Sequence, residues 1–169
     1  NPPDAVAATR DKAAMRGALA AAEVPQPAFV VTDDGLPDPA DLPFPWVLKP
    51  VDRSGSQGVI RADDPEAARA AAVRVRAVSD GPVLVERYVP GTEVAVEGLL
   101  RDGVLTTLAV FDKPDPLEGP YFEETIYVSP SRLRAATIGR VEMVTARACA
   151  ALGLVEGPVH AELRIDAAD

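Results

Sequence analysis

Cysteine, histidine and lysine are scarce in this chain. Its 169 residues include one cysteine, one histidine and three lysines, so arginine carries most of the positive charge. Cys149 cannot form an internal disulfide, which favours a reducing compartment and a thiol that packs as a small apolar residue on a helix. One histidine and one cysteine cannot supply the usual ligand set of a zinc ion. No nucleophile-elbow sequence accompanies His160, so we expect no Ser-His-Asp triad.

Long apolar runs and a surplus of basic residues are also absent. No stretch of about 18 apolar residues predicts a membrane helix, and the start, Asn1-Pro2-Pro3-Asp4, lacks the regions of a signal peptide. This start also lacks a methionine, so we expect an excised or processed piece. The net charge of −9 argues against nucleic acid, because proteins that bind a phosphate backbone usually carry a basic stripe. These features predict a cytoplasmic protein with neither a membrane nor a nucleic-acid partner.

What the chain does contain is typical of a folded domain. Apolar residues make up 47% and charged residues 25%, close to the averages of globular proteins. Strand and helix patterns do not alternate regularly, which predicts an α+β fold rather than a doubly wound sheet. We predict three helices, at Asp4–Val24 with Asp4 as its cap, at about 64–79, and from Ser129 to Ala151. We predict strands at 28–32, 46–49, 59–60, 83–88, 122–128 and 159–165, and a hairpin of 92–100 with 104–113 around Asp102-Gly103.

Two of the lysines stand where a side chain points into an interior or a cleft. Lys12 precedes Met15 and Leu19 by three and seven residues, at the edge of an apolar helix face, and Lys49 ends an apolar strand before Pro50. Such lysines often lie along apolar surface with the ammonium group in water. The functional alternative is that each places a point charge on phosphates.

A turn rich in glycine and serine begins five residues after Lys49. Ser54-Gly55-Ser56-Gln57-Gly58 lies between two predicted strands, and its glycines let backbone N–H groups approach an anion. It is not a Walker A loop, because the spaced Gly-Lys-Ser/Thr is missing and a strand follows. A plain turn is the alternative, and the position after Lys49 favours a phosphate contact.

Two carboxylates, Glu86 and Glu93, flank the turn at Pro90-Gly91. Between them, the linker Arg87-Tyr88-Val89 has backbone groups that can read the edge of an adenine ring, while Glu93 accepts from ribose hydroxyls. The alternative is a solvated hairpin edge.

The last predicted strand has one polar face. Glu162 shares that face with His160 and Arg164, and the residues between them face the core. An ordinary exposed face is one interpretation. The other is that the Glu162 carboxylate binds a hard cation such as Mg²⁺.

Five motifs occur in an order shared with one known family. They are Thr9-Arg10-Asp11-Lys12 with Met15-Arg16 and Val24-Pro25-Gln26-Pro27, Trp46-Val47-Leu48-Lys49-Pro50, Gly55-Ser56-Gln57-Gly58-Val59, Glu86 to Glu93, and His160-Ala161-Glu162. Together they resemble the ATP-grasp superfamily of carboxylate–amine ligases, over residues 9–165. Two further segments are similar to the branch that joins amino acids into dipeptides or related amides, namely Phe111-Asp112-Lys113-Pro114 and Gly119-Pro120-Tyr121-Phe122-Glu123-Glu124.

The resemblance implies a role for each motif. Lys12 and Lys49 would hold the phosphates of ATP, and Ser54, Gly55, Ser56, Gln57 and Gly58 would close over them. Glu86, with the backbone of Arg87, Tyr88 and Val89, would receive adenine. Glu93 would bind the ribose, and Glu162 would bind Mg²⁺.

The resemblance also implies an architecture and a reaction. Residues 1–88 would form the small lid lobe of an ATP-grasp fold, and residues 89–169 part of the larger lobe. The family's reaction phosphorylates a carboxylate from ATP, and an amine then attacks the acyl phosphate to form an amide. Expected partners are ATP, a small-molecule carboxylate and amine, and the remaining parts of a parent ligase.

Two departures from the family pattern modify this expectation. The chain reaches Asp169 without the second metal carboxylate of a Glu-x-Asn motif or the arginine that follows it, and no domain precedes the entry helix. We therefore expect a ligase fragment that is inactive, or nearly so, by itself. One alternative is a non-catalytic nucleotide-binding or interaction module. Another is a different ATP-grasp branch, D-alanine–D-alanine ligase-like or biotin-carboxylase-like, which residues 111–124 make less favoured.

Overall fold

The computed structural model describes residues 1–122 and 126–166 and has the predicted α+β class. Among these residues no helix combines the length and the apolar character needed to cross a membrane. The helices are α1 (Pro3–Arg10), α2 (Lys12–Ala21), α3 (Pro65–Arg76) and α4 (Ala135–Ala151). The strands are β1 (Phe29–Thr32), β2 (Trp46–Pro50), β3 (Ile60–Ala62), β4 (Val83–Arg87), β5 (Gly91–Arg101), β6 (Val104–Lys113) and β7 (Gly157–Asp166). They form two antiparallel sheets, ordered β1-β4-β2-β3 and β6-β5-β7.

The single helix predicted for Asp4–Val24 is wrong, because the chain breaks at Asp11. Asp11 has an extended conformation, and its carboxylate accepts from two backbone amides of α2 at 2.8 and 3.0 Å. This cap satisfies amides that the start of a helix leaves unpaired, so a new helix begins at Lys12. Asp4 lies in the first turn of α1 rather than at its cap.

The first sheet packs one face on α3 and leaves the other face for polar groups. Trp46, Leu48 and Val85 lie in the core beneath α3. Since successive side chains of a strand alternate between faces, Lys49 and Glu86 project from the opposite face. The side that carries the predicted site is therefore the side that α3 does not cover.

The second sheet packs on α4 in the same manner. Val94 and Val96 of β5 contact Val141 of α4, and Cys149 is buried beside Leu100, as predicted for a thiol that packs as an apolar residue. Between Glu97 and Gly98 the register of β5 with β6 shifts by one residue. This irregularity decides which side chains of β6 reach the polar face of the sheet.

The segment between β6 and α4 differs from the prediction. In the part of 122–128 that the structure describes, Val128 makes an isolated bridge with Asp112 and no strand forms. Glu123 and Glu124 lie outside the described residues. The long helix begins at Ala135 rather than Ser129, because the Asp112 carboxylate binds the hydroxyl of Ser131 and the amide of Arg132 in a non-helical turn.

Candidate functional site

A buried carboxylate lies at the centre of the polar face of the first sheet. Glu86 is 4% exposed, and its Oε1 and Oε2 lie 2.5 Å from Nε of Arg16 and 2.6 Å from Nζ of Lys49. Burial by itself would raise the pKa of Glu86, but the charges of Lys49 and Arg16 outweigh it and hold the pKa below its ordinary value of 4.5. The carboxylate is therefore ionised at neutral pH and held between two cations.

Lys12 brings a further ammonium group to this carboxylate. Its backbone amide donates to the carbonyl of Val51 at 2.9 Å, and its ammonium group donates to the carbonyl of Arg53. Burial, followed by repulsion from Lys49, lowers the pKa of Lys12. Two ammonium groups that repel each other would be stabilised by a multiply charged anion between them.

The chain forms the predicted glycine-rich turn between β2 and β3. Gly55, Ser56 and Gly58 have φ angles of 61°, 56° and 72°, which glycine adopts most easily. A Cβ on Gly58 would lie 2.8 Å from Cγ2 of Val78 and 3.2 Å from Cδ of Pro50, whereas a Cβ on Gly55 would meet nothing within 4 Å. Gly58 therefore anchors the turn against the sheet, and Gly55 lies at its open tip. The exposed residues of the turn are Ser54, Gly55 and Gln57.

In the linker after β4, the first two backbone amides form hydrogen bonds within the fold. The amide of Arg87 donates to the carbonyl of Ala28 at 2.9 Å, and that of Tyr88 donates to the carbonyl of Pro45 at 2.8 Å. The amide of Val89 has no acceptor within the described ranges. Val89 can therefore donate to a ligand, while the other two amides hold the linker in place.

Lys113 connects the two predicted carboxylates of the second sheet. Its Nζ lies 2.8 Å from Oε1 of Glu93 and 2.6 Å from Oε1 of Glu162, and its side chain is only 2% exposed. Strand register produces this arrangement: Glu93 is opposite Lys113, and Ala95, two residues further along β5, is opposite Glu162. The small side chain of Ala95 leaves the ammonium group room to reach both carboxylates.

Glu162 is the most exposed of these carboxylates. Its side chain is 43% exposed, and its Oε1 lies 3.6 Å from Nε2 of His160 and 3.5 Å from the hydroxyl of Tyr127. A hydrogen bond from the His160 ring to the carboxylate of Glu97 raises the pKa of His160 above its ordinary value of 6.5. Nowhere in the described part do three His, Cys, Asp or Glu residues gather as a metal centre. Because Mg²⁺ is commonly held by one or two carboxylates with phosphate oxygens and water, Glu162 fits as one protein ligand.

Arg164 connects the linker to the second sheet. Its guanidinium donates to the hydroxyl of Tyr88 at 3.2 Å and to the carbonyl of Gly91 at 3.1 Å, and it lies 3.4 Å from Oε2 of Glu93. The ring of Tyr88 lies between this guanidinium, at 5.0 Å, and that of Arg61, at 4.2 Å. Cations favour the faces of aromatic rings, so the two arginines hold the linker next to Glu93. A cavity of about 380 Å³, bordered by Glu93 and Arg164, opens beside it.

The structure thus gathers the predicted residues into two clusters and adds cations that the sequence motifs did not assign. Arg16 is the first, and its position four residues after Lys12 on one helix could have indicated a shared face. Lys113 is the second. A hairpin closed at Asp102-Gly103 without a bulge would pair Glu93 with Asp112, so the sequence held no simple signal for Lys113.

Comparisons with known proteins agree on one family. A family profile described as the ATP-grasp domain matches residues 42–169. D-alanine–D-alanine ligase of Synechococcus sp. (strain JA-3-3Ab) is 29% identical over 98% of this chain and 53% of that protein. Carnosine synthase 1 of Gallus gallus is 32% identical over 75% of this chain and 15% of that protein. A solved L-amino acid ligase from Bacillus licheniformis is 30% identical, with a TM-score of 0.83 over 99% of this chain and 40% of that one.

The match extends over nearly all of this chain but not over all of its relatives. The chain spans about half the length of the D-alanine–D-alanine ligases that it matches. The structural likeness confirms the predicted fold, and the family profile covers well over half of the sequence. The chain therefore belongs to the ATP-grasp family.

Proposed function

We propose that this chain is the ATP-binding portion of an ATP-dependent carboxylate–amine ligase, which forms an amide through an acyl phosphate from amino-acid substrates. The observation that carries the proposal is the contact of the Lys49 ammonium group with the buried carboxylate of Glu86 at 2.6 Å, with the charge of Lys12 near enough to act on both. The ammonium groups could neutralise the charge of a triphosphate, and the Glu86 carboxylate next to Lys49 could accept a hydrogen bond from a base.

Each residue of the first sheet then has a role toward ATP. Lys12 and Lys49 neutralise phosphate charge, and the turn from Ser54 to Gly58 closes over the phosphates with its backbone amides. Glu86 accepts from the amino group of adenine, and the amide of Val89 donates to a ring nitrogen. Arg87 and Tyr88 contribute by fixing the linker, since their own amides are already bound.

The second sheet would hold the ribose and the metal. Glu93 accepts from ribose hydroxyls, and Lys113, which contacts Glu93 and Glu162, adds a cation between the ribose and metal positions. Glu162 would exchange its contact with Lys113 for Mg²⁺. When bound, the metal ion supplies charge neutralisation on phosphate oxygens.

The proposed chemistry depends on positioning and charge rather than on a protein nucleophile. Transfer of a phosphoryl group to a substrate carboxylate is promoted by cations that neutralise the transferred oxygens, and the substrate amine supplies the second attack. Cys149 takes no part, because it lies on the buried face of α4 and burial raises the pKa of its thiol.

The substrate class follows from the relatives' names. D-alanine–D-alanine ligase, L-amino acid ligase and carnosine synthase are named for products or substrates that are amino acids or their amides. We propose a carboxylate and an amine of this class, without choosing between branches. We also propose that residues 1–88 act as the lid lobe and 89–169 as part of the larger lobe, and that the protein works in the cytoplasm with the remaining parts of a parent ligase.

A second candidate function is a non-catalytic nucleotide-binding or interaction module. The observation that favours it is that residues 1–122 and 126–166 contain no group of three His, Cys, Asp or Glu residues able to hold a metal ion. Such a module would bind ATP and leave it intact.

Calorimetric titration with Mg-ATP tests the proposal. We expect micromolar to millimolar binding, and a Lys49→Ala variant at least ~10-fold weaker, because a phosphate contact is worth on the order of 1.4 kcal/mol. Lys49→Arg keeps the charge and serves as one control, and Arg69→Ala, on the exposed side of α3, serves as another.

Each other outcome has a defined meaning. A folded wild-type chain that binds no ATP contradicts the ATP-binding role. Equal affinities of the wild type and Lys49→Ala contradict the phosphate contact. Binding without turnover once the chain is joined to its missing half would favour the second candidate.

A further inference from the structure

Arg16 has no place in the ligand contacts proposed above, yet it makes the shortest contact with Glu86. We propose that Arg16 is a positioning residue that acts through Glu86. It holds this carboxylate toward the base when Lys49 turns away to the phosphates of a bound nucleotide. The inference rests on the proposed ATP-binding function.

The two oxygens of the Glu86 carboxylate contact different cations. Oε1 of Glu86 contacts Nε of Arg16, and Oε2 contacts Nζ of Lys49. If Lys49 is to contact phosphates, it has to leave Oε2. That oxygen then becomes available to the amino group of a base, while the contact with Oε1 remains.

The surroundings of Lys49 favour such an exchange. Its ammonium group is repelled by that of Lys12, and the arrival of several negative charges would attract both. A lysine is a point charge on a flexible four-carbon stem, so it can exchange partners with small movements of its own side chain.

The surroundings of Arg16 favour a fixed contact instead. Its side chain is as little exposed as that of Lys49, 16% against 17%, but its backbone carbonyl accepts from Nε2 of Gln26 at 3.0 Å, which ties the middle of α2 to the segment that follows it. The contact to Glu86 is made by Nε, next to the side-chain stem, and not by the tip of the guanidinium.

Burial explains why a second cation is needed. Glu86 is 4% exposed, and a buried carboxylate without a partner is strongly disfavoured. Without Arg16, release of Lys49 would leave that carboxylate unpaired. Glu86 would then turn with Lys49 and away from the base, so a nucleotide would lose its base contact and keep its phosphate contacts.

The test compares ATP with inorganic tripolyphosphate, which has no base. In calorimetric titrations we expect Arg16→Gln to weaken ATP binding about 10-fold and tripolyphosphate binding by less than about 3-fold, since the lost contact acts on the base. Lys49→Ala should weaken both ligands. Arg16→Lys should recover most of the ATP affinity, and Arg69→Gln, the same charge change on exposed α3, should alter neither ligand.

A double-mutant cycle shows whether Arg16 acts through Glu86. In a Glu86→Gln background, Arg16→Gln should have no further effect on ATP affinity. Additive losses, or an equal loss for ATP and tripolyphosphate, would overturn the inference. Circular dichroism checks folding. If Arg16→Gln alone unfolds, comparison of Glu86→Gln with the double variant, which leaves no unpaired carboxylate at position 86, still tests whether the loss of Arg16 has a further effect. A wild-type chain that binds no ATP refutes the proposed function itself, which separates the two failures.

Discussion

Glu86, Glu93 and Glu162 are carboxylates whose surroundings give them different capacities. Glu86 is almost fully buried between two cations, and the side chain of Glu93, 14% exposed, lies between Lys113 and Arg164. Glu162 is 43% exposed and keeps one lysine contact that it can exchange. A metal ion arriving with its water and phosphate ligands needs such an accessible carboxylate, so Glu162 is the best suited of these to metal binding.

At this scale we expect Glu162→Gln to reduce the Mg²⁺ dependence of ATP binding, because a neutral amide is a weaker ligand of a hard cation than a carboxylate. The measurement is ATP affinity at saturating Mg²⁺ and in a chelator, for the wild type, Glu162→Gln and the exposed control Glu66→Gln. The loss should be several-fold larger with Mg²⁺ than without it. The same loss under both conditions would contradict the metal role.

At the scale of helices and turns, caps and glycines in the local sequence determine where the charged residues lie. The cap at Asp11 interrupts a run of alanines that would otherwise continue as one helix, and this break makes Lys12 the first residue of α2. The proline after Asp64 and the acidic cap give α3 the start that the sequence predicted. The turn at 54–58 depends on glycine twice, for different reasons.

The two glycines of this turn allow a matched comparison at the element scale. Gly55→Ala introduces only the strain of a positive φ and should lower the free energy of unfolding by about 1 kcal/mol. Gly58→Ala adds a collision with Val78 and Pro50 and should lower it by about 2–4 kcal/mol. Denaturant unfolding of both variants measures the difference. Equal losses would mean that Gly58 does not anchor the turn.

The whole molecule is acidic, although its candidate site is rich in cations. The net charge is −9, yet the two clusters proposed to bind the ligand contain the cations Lys12, Arg16, Lys49 and Lys113. Glu86, the buried partner of Lys49 and Arg16, contributes to the stability of the whole fold, because the charges of these two cations lower its pKa on folding. Acid should therefore weaken the fold through the site.

Glu86 makes this pH dependence measurable. Its pKa in the folded chain lies below its ordinary value of 4.5, so its contribution is complete above pH 4.5 and is lost as the pH falls through the folded-state pKa. We expect the unfolding free energy of Glu86→Gln to fall less steeply than that of the wild type below pH 4.5. At pH 7 the variant should be about 3 kcal/mol less stable, since it breaks a buried ion pair. Parallel pH profiles would contradict this role.

Most elements and motifs were predictable because their signals are local. Proline and acidic caps, the Asp-Gly turn and apolar alternation depend on neighbouring residues, and they correctly indicated α3, the β5–β6 hairpin and β7. Apart from the local break at Asp11, the errors lie where a distant group intervenes. The Asp112 carboxylate, for example, binds the segment at 131–132 and delays the start of α4 to Ala135.

The sequence by itself determined the fold class, the order of the motifs and the residue types available for phosphate, base and metal. Only the tertiary structure decided which of them meet. One extra residue in β6, opposite the step from Glu97 to Gly98, turns Lys113 rather than Asp112 toward Glu93. A shift of one residue exchanges the faces of a strand, so the charge in the site changes sign with the register. Likewise, Glu86 meets Arg16 only because the fold brings the Arg16 side chain of α2 to the polar face of the first sheet, 70 residues away in the chain.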